Sequence, residues 1–172
     1  MAIYALGSQV PDIHPDAYVA PEAVIIGSVT LGAESSVWPG AVIRGDDGEI
    51  NVGARTSIQD GAILHTTPMQ FTTVGDECVV GHLAHLEGCI VHDRALVGSG
   101  SVVLHHAVVE SGALVGAGAV VSGGTVVPAG AMALGIPAKI RPDAVTEDMI
   151  VLAMQSYVDR SKRYRSSLRR LD

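Results

Sequence analysis

The stretch VGSGSVVLHHAVVESGALVGAGAVVSGGTVV, residues 97–127, has a valine at every sixth position, and a small residue follows four places after each valine. The valines are Val97, Val103, Val109, Val115, Val121 and Val127, and the small residues are Ser101, Ala107, Ala113, Ala119, Thr125 and Ala131. A period of six fits neither an α-helix nor a simple alternating strand. It predicts a coil of short strands in which each valine points inward and the small residue lets the chain turn.

The same register extends towards the N-terminus with interruptions. Its apolar positions there are Leu31, Val37, Ile43, Val52, Ile58, Leu64, Val74, Val80, Leu86 and Val91. Three hexapeptides complete one triangular turn, and turns stack at the strand spacing of about 4.8 Å. The sequence therefore predicts an all-β solenoid, a parallel β-helix over residues 1–135, rather than a β-sandwich. Several glycines directly follow these apolar positions, and we expect them to relieve backbone strain at the corners. They are Gly32, Gly53, Gly75, Gly81, Gly98 and Gly116.

A second segment follows the repeat, which ends near Ala133. The stretch GIPAKIRP, residues 135–142, reads as a connector because it contains two prolines. Residues 144–171 have a helical stripe, formed by Val145, Ile150, Leu152, Ala153, Tyr157, Tyr164 and Leu168. We expect residues 136–172 to form a connector and a C-terminal α-helix that packs on the coil, with Asp143 or Thr146 as N-cap.

Composition excludes several classes of protein. The 172 residues carry a net charge of −7, and no long basic run precedes the tail, which argues against nucleic-acid binding. Two cysteines are too few for a disulfide framework. No stretch has the ~18 apolar residues of a membrane span, and the start resembles no signal peptide. These features predict a soluble cytoplasmic protein.

Two histidines and a glutamate lie within GHLAHLEGC, residues 81–89. Leu64 and Leu86 are inward positions, so His65 and Glu87, one residue later, point outward. Their 22-residue separation equals one 18-residue coil plus four residues, which fit a bulge in TTPMQFTT, residues 66–73. We therefore expect His65 and Glu87 to stack on one face, with His85 pointing outward beside Glu87.

His82 lies two residues after Val80, on the preceding face, so it cannot easily meet His65 within one prism. A trimer around a three-fold axis would bring one face of each subunit against a different face of its neighbour. Three imidazoles with one open position suit a catalytic zinc. The sequence thus predicts a metal site that is shared between subunits. The remaining histidines are expected to be ordinary surface residues: His14, His92, His105 and His106.

Four segments resemble those of the γ-class carbonic anhydrase-like family, whose members are trimeric left-handed β-helices. The segments are SVWPGAVIRGD (36–46), ARTSIQDGAILH (54–65), VGHLAHLEGC (80–89) and GIPAKIRP (135–142). The resemblance implies a left-handed coil, a homotrimer and reversible hydration of CO₂ to bicarbonate by a metal-bound hydroxide. The metal would be Zn²⁺, although Fe²⁺ or Co²⁺ also suits imidazole. In a carbonic anhydrase the metal lowers the pKa of its bound water to about 7.

The resemblance also implies roles for single residues. The family's metal histidines match His65 and His82, its solvent-orienting glutamine matches Gln59, and its helix tyrosine matches Tyr157. The family's subunit contacts match Arg44, Asp46 and Asp60. The chain departs from the family at its third metal histidine, which falls on Glu87, and at two asparagines, which fall on Ser57 and Ser156. It also has no insertion comparable to the acidic proton-shuttle loop of longer members.

Either His85 or Glu87 could be the third metal ligand, and we expect His85. A carboxylate ligand would place negative charge on the metal and make its bound water less acidic. His85 is two residues away, roughly 6.5–7 Å along the strand, and would keep the ligand set neutral. Glu87 would then be a catalytic residue that passes the proton or hydrogen-bonds a ligating histidine.

Two functions of other classes remain open. A hexapeptide acyltransferase that uses acetyl-CoA shares the coil and the GIPAK-like segment, and it employs one histidine as general base without a metal. A non-catalytic trimeric scaffold or metal-binding protein would retain the coil without efficient chemistry.

Overall fold

The structure is a computed structural model that describes the backbone of residues 1–172 and every side chain except that of Glu147. Its strands and helix are β1 (Ala2–Tyr4), β2 (Asp12–Ile13), β3 (Tyr18–Val19), β4 (Val24–Leu31), β5 (Ser36–Val37), β6 (Val42–Val52), β7 (Ser57–Ile58), β8 (Ile63–His65), β9 (Thr72–Val74), β10 (Val79–Val80), β11 (His85–Glu87), β12 (Ile90–Val91), β13 (Leu96–Val97), β14 (Val102–Val103), β15 (Val108–Val109), β16 (Leu114–Val115), β17 (Val120–Val121), β18 (Val126–Val127), β19 (Met132–Leu134), β20 (Lys139–Arg141) and α1 (Glu147–Ser167).

The strands wind into a β-solenoid of about seven turns, which confirms the fold that the six-residue period predicts. The first face contains β3, β5, β7, β10, β13, β16 and β19. The second contains β8, β11, β14 and β17, and the third contains β9, β12, β15 and β18. Strand β6 bends across a corner, because residues 42–44 pair with β8 and residues 50–52 pair with β9. Parallel pairing stacks equivalent positions of successive turns directly above one another.

The predicted inward side chains fill the interior. The repeat valines from Val97 to Val127 are fully buried, and so are the small residues Ala107, Ala113 and Ala119 near the corners. Because nearly every core side chain is small and aliphatic, the prism is narrow and its outer surface carries the chemistry-bearing residues.

The predicted role of the glycines that follow the inward positions is wrong. Gly81 does not adopt a positive φ, but a Cβ there would lie 2.6 Å from the backbone nitrogen of Ser99 in the next turn. The left-handed conformation occurs instead at other corner residues, such as Gly61 and Gly100. Glycines such as Gly81 allow successive turns to approach closely, whereas Gly61 and Gly100 allow the chain to turn the corner.

The predicted bulge between Leu64 and Val74 is confirmed. Strand β8 ends at His65 and β9 begins at Thr72, and a short loop closed by a bridge between Thr67 and Gln70 lies between them. Because the loop absorbs the extra residues, Leu86 still pairs with Leu64.

The helix is shorter than predicted, since α1 spans Glu147–Ser167 with Thr146 as N-cap. It lies on the first face and buries Ile150, Met154 and Val158. Two residues of the predicted stripe, Leu152 and Leu168, are exposed instead.

Polar and aromatic contacts fix α1 on the coil. Lys162 Nζ lies 2.6 Å from Glu34 Oε1, and Arg55 Nη2 donates to Gln155 Oε1 at 2.8 Å. The Trp38 ring meets the Tyr157 and Tyr164 rings edge-on. No helix in the described part of the chain is long and apolar enough to cross a membrane.

Candidate metal centre

Arg44, His65 and Glu87 stack on the second face in three successive turns. Arg44 of β6 is in register with His65 of β8, which is in register with Glu87 of β11. The expected stacking of His65 and Glu87 is therefore confirmed, and it follows from the loop that absorbs the surplus residues between these strands.

Glu87 is surrounded by imidazoles. Its Oε1 lies 3.0 Å from His65 Nδ1 and 3.6 Å from His105 Nε2, and its Oε2 lies 3.3 Å from His85 Nε2. Burial works to raise the pKa of Glu87, but hydrogen bonds from His65 and His85 outweigh it and hold the pKa below its ordinary value. Glu87 is thus a carboxylate at neutral pH, which can only accept hydrogen bonds.

His65 is also in contact with Asp46. Its Nε2 lies 3.3 Å from Asp46 Oδ1, and the other oxygen of Asp46 pairs with the Arg44 guanidinium. Burial again opposes the change, but the hydrogen bond from Arg44 holds the pKa of Asp46 below its ordinary value. His65 therefore presents Nδ1 to one carboxylate and Nε2 to the other.

His82 has its own carboxylate partner at the corner between β10 and β11. Its Nδ1 lies 2.9 Å from Asp60 Oδ2, and its Nε2 lies 3.4 Å from the Tyr157 hydroxyl. The next residue is tied to the same neighbour, since Leu83 N donates to Asp60 O at 2.9 Å. The His82 side chain is 48% exposed, so a second subunit could reach it.

The two predicted metal histidines share one arrangement. Glu87 occupies the Nδ1 side of His65, and Asp60 occupies the Nδ1 side of His82, both within 3.0 Å. A carboxylate on one ring nitrogen fixes the orientation of the imidazole and leaves the other nitrogen for a metal. The Nε2 atoms have longer contacts, 3.3 Å from His65 to Asp46 Oδ1 and 3.4 Å from His82 to the Tyr157 hydroxyl, which a metal bound at Nε2 would replace.

Imidazole nitrogens beside carboxylate oxygens form a donor set that suits zinc, iron or cobalt. Among the described side chains of a single chain, no three His, Cys, Asp or Glu groups converge to hold a metal ion. His65 and His85 lie together around Glu87, whereas His82 lies with Asp60 and Tyr157. The shared metal site expected from the sequence would have to join these two groups across a subunit interface, and it stays a prediction.

The other predicted site residues are near these groups. Gln59 is buried directly before Asp60, in the corner between β7 and β8. Tyr157 is held by the Trp38 ring, whose centroid is 5.5 Å away. Arg44 pairs with Asp46 within the chain. The solvent-orienting role of Gln59 and the subunit contacts of Arg44, Asp46 and Asp60 stay predictions.

Sequence reasoning missed two neighbours of the histidine–glutamate group. His105, expected to be an ordinary surface residue, contacts Glu87. Thr72, fully buried, donates to His65 O at 2.5 Å and accepts from Gly88 N at 2.8 Å. The register places Leu104, rather than His105, in line with Glu87, so only the corner geometry reveals the His105 contact.

Comparisons with known proteins give close relatives, although no protein-family model matches the chain. A carbonic anhydrase of Geobacillus kaustophilus is 40% identical over 166 residues, 95% of this chain and 91% of that protein. The carnitine operon protein CaiE of Citrobacter koseri is 39% identical over 170 residues, 98% of this chain and 86% of that protein. Mitochondrial gamma carbonic anhydrase 2 of Arabidopsis thaliana is 42% identical over 100 residues, 55% of this chain and 36% of that protein.

Solved structures show the same fold under other names. A Bacillus cereus protein described as a putative acetyltransferase has a TM-score of 0.94 and 35% identity, with 97% of this chain and 98% of that chain covered. A hexapeptide transferase family protein of Anaplasma phagocytophilum has a TM-score of 0.90 and 32% identity, with 95% and 98% covered.

Proposed function

The chain belongs to the γ-class carbonic anhydrase-like family of hexapeptide-repeat proteins, and on that premise we propose that it is a metal-dependent carbonic anhydrase-type enzyme. The reaction is the reversible hydration of CO₂ to bicarbonate with release of one proton. The observation that carries the proposal is the matched pair of carboxylates, which hold His65 and His82 through Nδ1 at 3.0 and 2.9 Å.

The metal ligands in this proposal are His65 and His85 of one subunit and His82 of a neighbouring subunit in a homotrimer. Zn²⁺, or Fe²⁺ or Co²⁺, would supply a Lewis acid that makes a bound water ionise near neutral pH, as is known for a carbonic anhydrase. Glu87 keeps the imidazoles of His65 and His85 in place through its two oxygens. Asp60 does the same for His82.

The remaining residues act on the water and on the proton. Gln59 orients the attacking water. The Tyr157 hydroxyl, 3.4 Å from His82 Nε2, faces the cleft between subunits, which is the space between His82 of one subunit and His65 and His85 of its neighbour. Glu87 accepts the proton that hydration releases, and His105 Nε2, 3.6 Å from Glu87 Oε1 and partly exposed, lies between Glu87 and solvent. Arg44, Asp46 and Asp60 lie beside the cleft and contact the neighbouring subunit.

Acetyl transfer is the second candidate function. It is favoured by the Bacillus cereus structure, which is described as a putative acetyltransferase and has a TM-score of 0.94. Such an enzyme would use one histidine as a general base towards an acceptor and would need no metal at the cleft.

One experiment separates the two candidates. Purified protein is analysed for bound metal and assayed for CO₂ hydration by stopped flow, and for acetyl transfer from acetyl-CoA. We expect one metal per subunit and hydration above background, both abolished by His65→Ala and His82→Ala. His92→Ala is the control, because His92 is exposed and belongs to neither histidine group. A metal-free trimer that consumes acetyl-CoA would overturn the proposal in favour of acetyl transfer.

A further inference from the structure

One corner of the solenoid has the same backbone shape in five successive turns. The residue in question has a positive φ between 59° and 72° in each turn: Gly40, Gly61, Leu83, Gly100 and Gly118. Its backbone nitrogen donates to the preceding turn in the last four of these corners. Four turns use glycine at this position, and the turn that carries His82 uses leucine.

Leucine is unfavourable at this position because its Cβ crowds the backbone in the left-handed conformation, which bulky residues rarely adopt. Over the described backbone, the other non-glycine residues with positive φ are all polar or charged. Some of these are held by ion pairs, since Arg55 pairs with both Glu34 and Glu77. The Leu83 side chain has no such compensation and is 72% exposed. Nothing within the isolated chain explains why a strained, exposed and apolar side chain lies beside a predicted metal ligand. A contact with another molecule would explain it.

The surroundings of Leu83 make room for its side chain. A Cβ on Gly61, the equivalent residue of the preceding turn, would lie 2.6 Å from Leu83 Cδ2. The leucine therefore lies over the glycine of the turn below. The corner is also fixed by two bonds to Asp60, one from the Leu83 backbone and one from the His82 ring.

We infer that Leu83 is a subunit contact that packs against a second copy of this chain at the edge of the shared site. The inference rests on the proposed function, in which His82 meets His65 and His85 of a neighbour. A residue adjacent to His82 must then lie near the residues adjacent to His65. Ile63 fits as the acceptor surface: it is 43% exposed, two residues before His65 on β8, and in register with His85. The two apolar side chains bury one another and exclude water from the ligand nitrogens.

The test measures assembly of the metal-free protein by sedimentation over a dilution series, and metal retention by competition with a chelator. Leu83→Gly removes the side chain and the strain together, and the glycines of the sister corners indicate that it folds. We expect a trimer dissociation constant at least tenfold larger and metal lost to a weaker chelator. At a dilution where both proteins are monomeric, so that assembly adds no stability, the unfolding temperature should be unchanged or higher. Leu152→Ala is the matched control, because Leu152 is also 72% exposed but lies on α1, and it should leave assembly unchanged.

A second variant tests the contact itself. Ile63→Ala should weaken the trimer as well, and combining it with Leu83→Gly should weaken it by less than the product of the two single effects, because both remove one contact. A Leu83→Gly trimer with the wild-type dissociation constant would overturn the inference. Assembly is measured without metal, so a wild-type trimer that binds no metal contradicts the proposed function while leaving the Leu83 result readable. A wild-type chain that stays monomeric overturns both.

Discussion

His65 Nδ1 lies 3.0 Å from Glu87 Oε1, between two strands that pair one turn apart although 22 residues separate them in the chain. Glu87 is therefore a hydrogen-bond partner of His65, and its second carboxylate oxygen lies 3.3 Å from His85 Nε2. A carboxylate that already holds two imidazoles is better suited to orienting ligands than to being one.

The first prediction concerns the third ligand. His85→Ala should lose the metal, whereas Glu87→Gln should keep it in stoichiometric amount with an affinity about 10–100-fold lower, because the amide still accepts a hydrogen bond but carries no charge. Metal content of each variant as an intact trimer gives the answer. If His85→Ala stays fully loaded and Glu87→Gln is empty, the glutamate is the ligand.

The second prediction concerns Asp60, whose carboxylate lies 2.9 Å from His82 Nδ1. Asp60→Ala should lower metal affinity about 10–100-fold because the His82 ring is no longer fixed. Asp60→Asn keeps an acceptor for Nδ1–H and should lose less. The nitrogen chemical shifts of His82 in metal-free protein report the tautomer directly, and they should change in Asp60→Ala alone. Asp12→Asn, at an exposed position in β2, is the control. Unchanged shifts and affinity in Asp60→Ala would leave Asp60 only the role of a subunit contact.

The third prediction concerns Thr72, which joins the ends of β8 and β11 by bonding to His65 O and Gly88 N. Thr72→Val has almost the same shape but leaves two buried backbone groups unpaired, so it should lower the free energy of unfolding by about 1–3 kcal/mol. Thr72→Ser restores the hydroxyl and should recover most of the loss. Denaturant unfolding of the two variants makes the comparison. Equal losses in both would assign the effect to the methyl group instead of the hydrogen bonds.

The fold could be predicted from the sequence because one physical rule repeats. The valines at every sixth position from Val97 to Val127 must all point inward. A strict six-residue period then leaves a triangular coil as the only consistent geometry. The stacking of His65 on Glu87 followed from the same count once four residues were assigned to a loop. The six-residue period predicts which residues are equivalent in successive turns, so it shows on which face of the coil each residue lies.

Corner residues and the helix were harder to predict for the same reason. His105 reaches Glu87 from a corner, outside any face, and the six-residue period does not describe the path of a corner. Leu83 adopts a conformation that its residue type disfavours, which only the backbone reveals. On α1, the sequence does not single out Met154 and Val158 as buried, because apolar residues such as Leu152 occur on the exposed side as well. Which side is buried depends on the first face of the coil, far away in sequence.

The last prediction concerns acid and the docking of α1, which Glu34 joins to the coil through Lys162 at 2.6 Å and Arg55 at 3.2 Å. The hydrogen bond from Lys162 lowers the pKa of Glu34 below its ordinary value of 4.5, against a smaller opposing effect of burial. A lowered folded-state pKa contributes stability that is present above about 4.5 and is lost as the pH falls through the folded-state value. Because Glu34 is about one-third exposed, we expect this contribution to be only about 0.2–1 kcal/mol. Emission of Trp38, the single tryptophan, reports the contact with Tyr157 and Tyr164 during denaturant unfolding. Wild type should be more stable than Glu34→Gln at pH 7, and the difference should shrink below pH 4.5 as Glu34 takes up its proton. A difference that stays constant from pH 7 to the acid limit would show that the charge of Glu34 does not hold the helix.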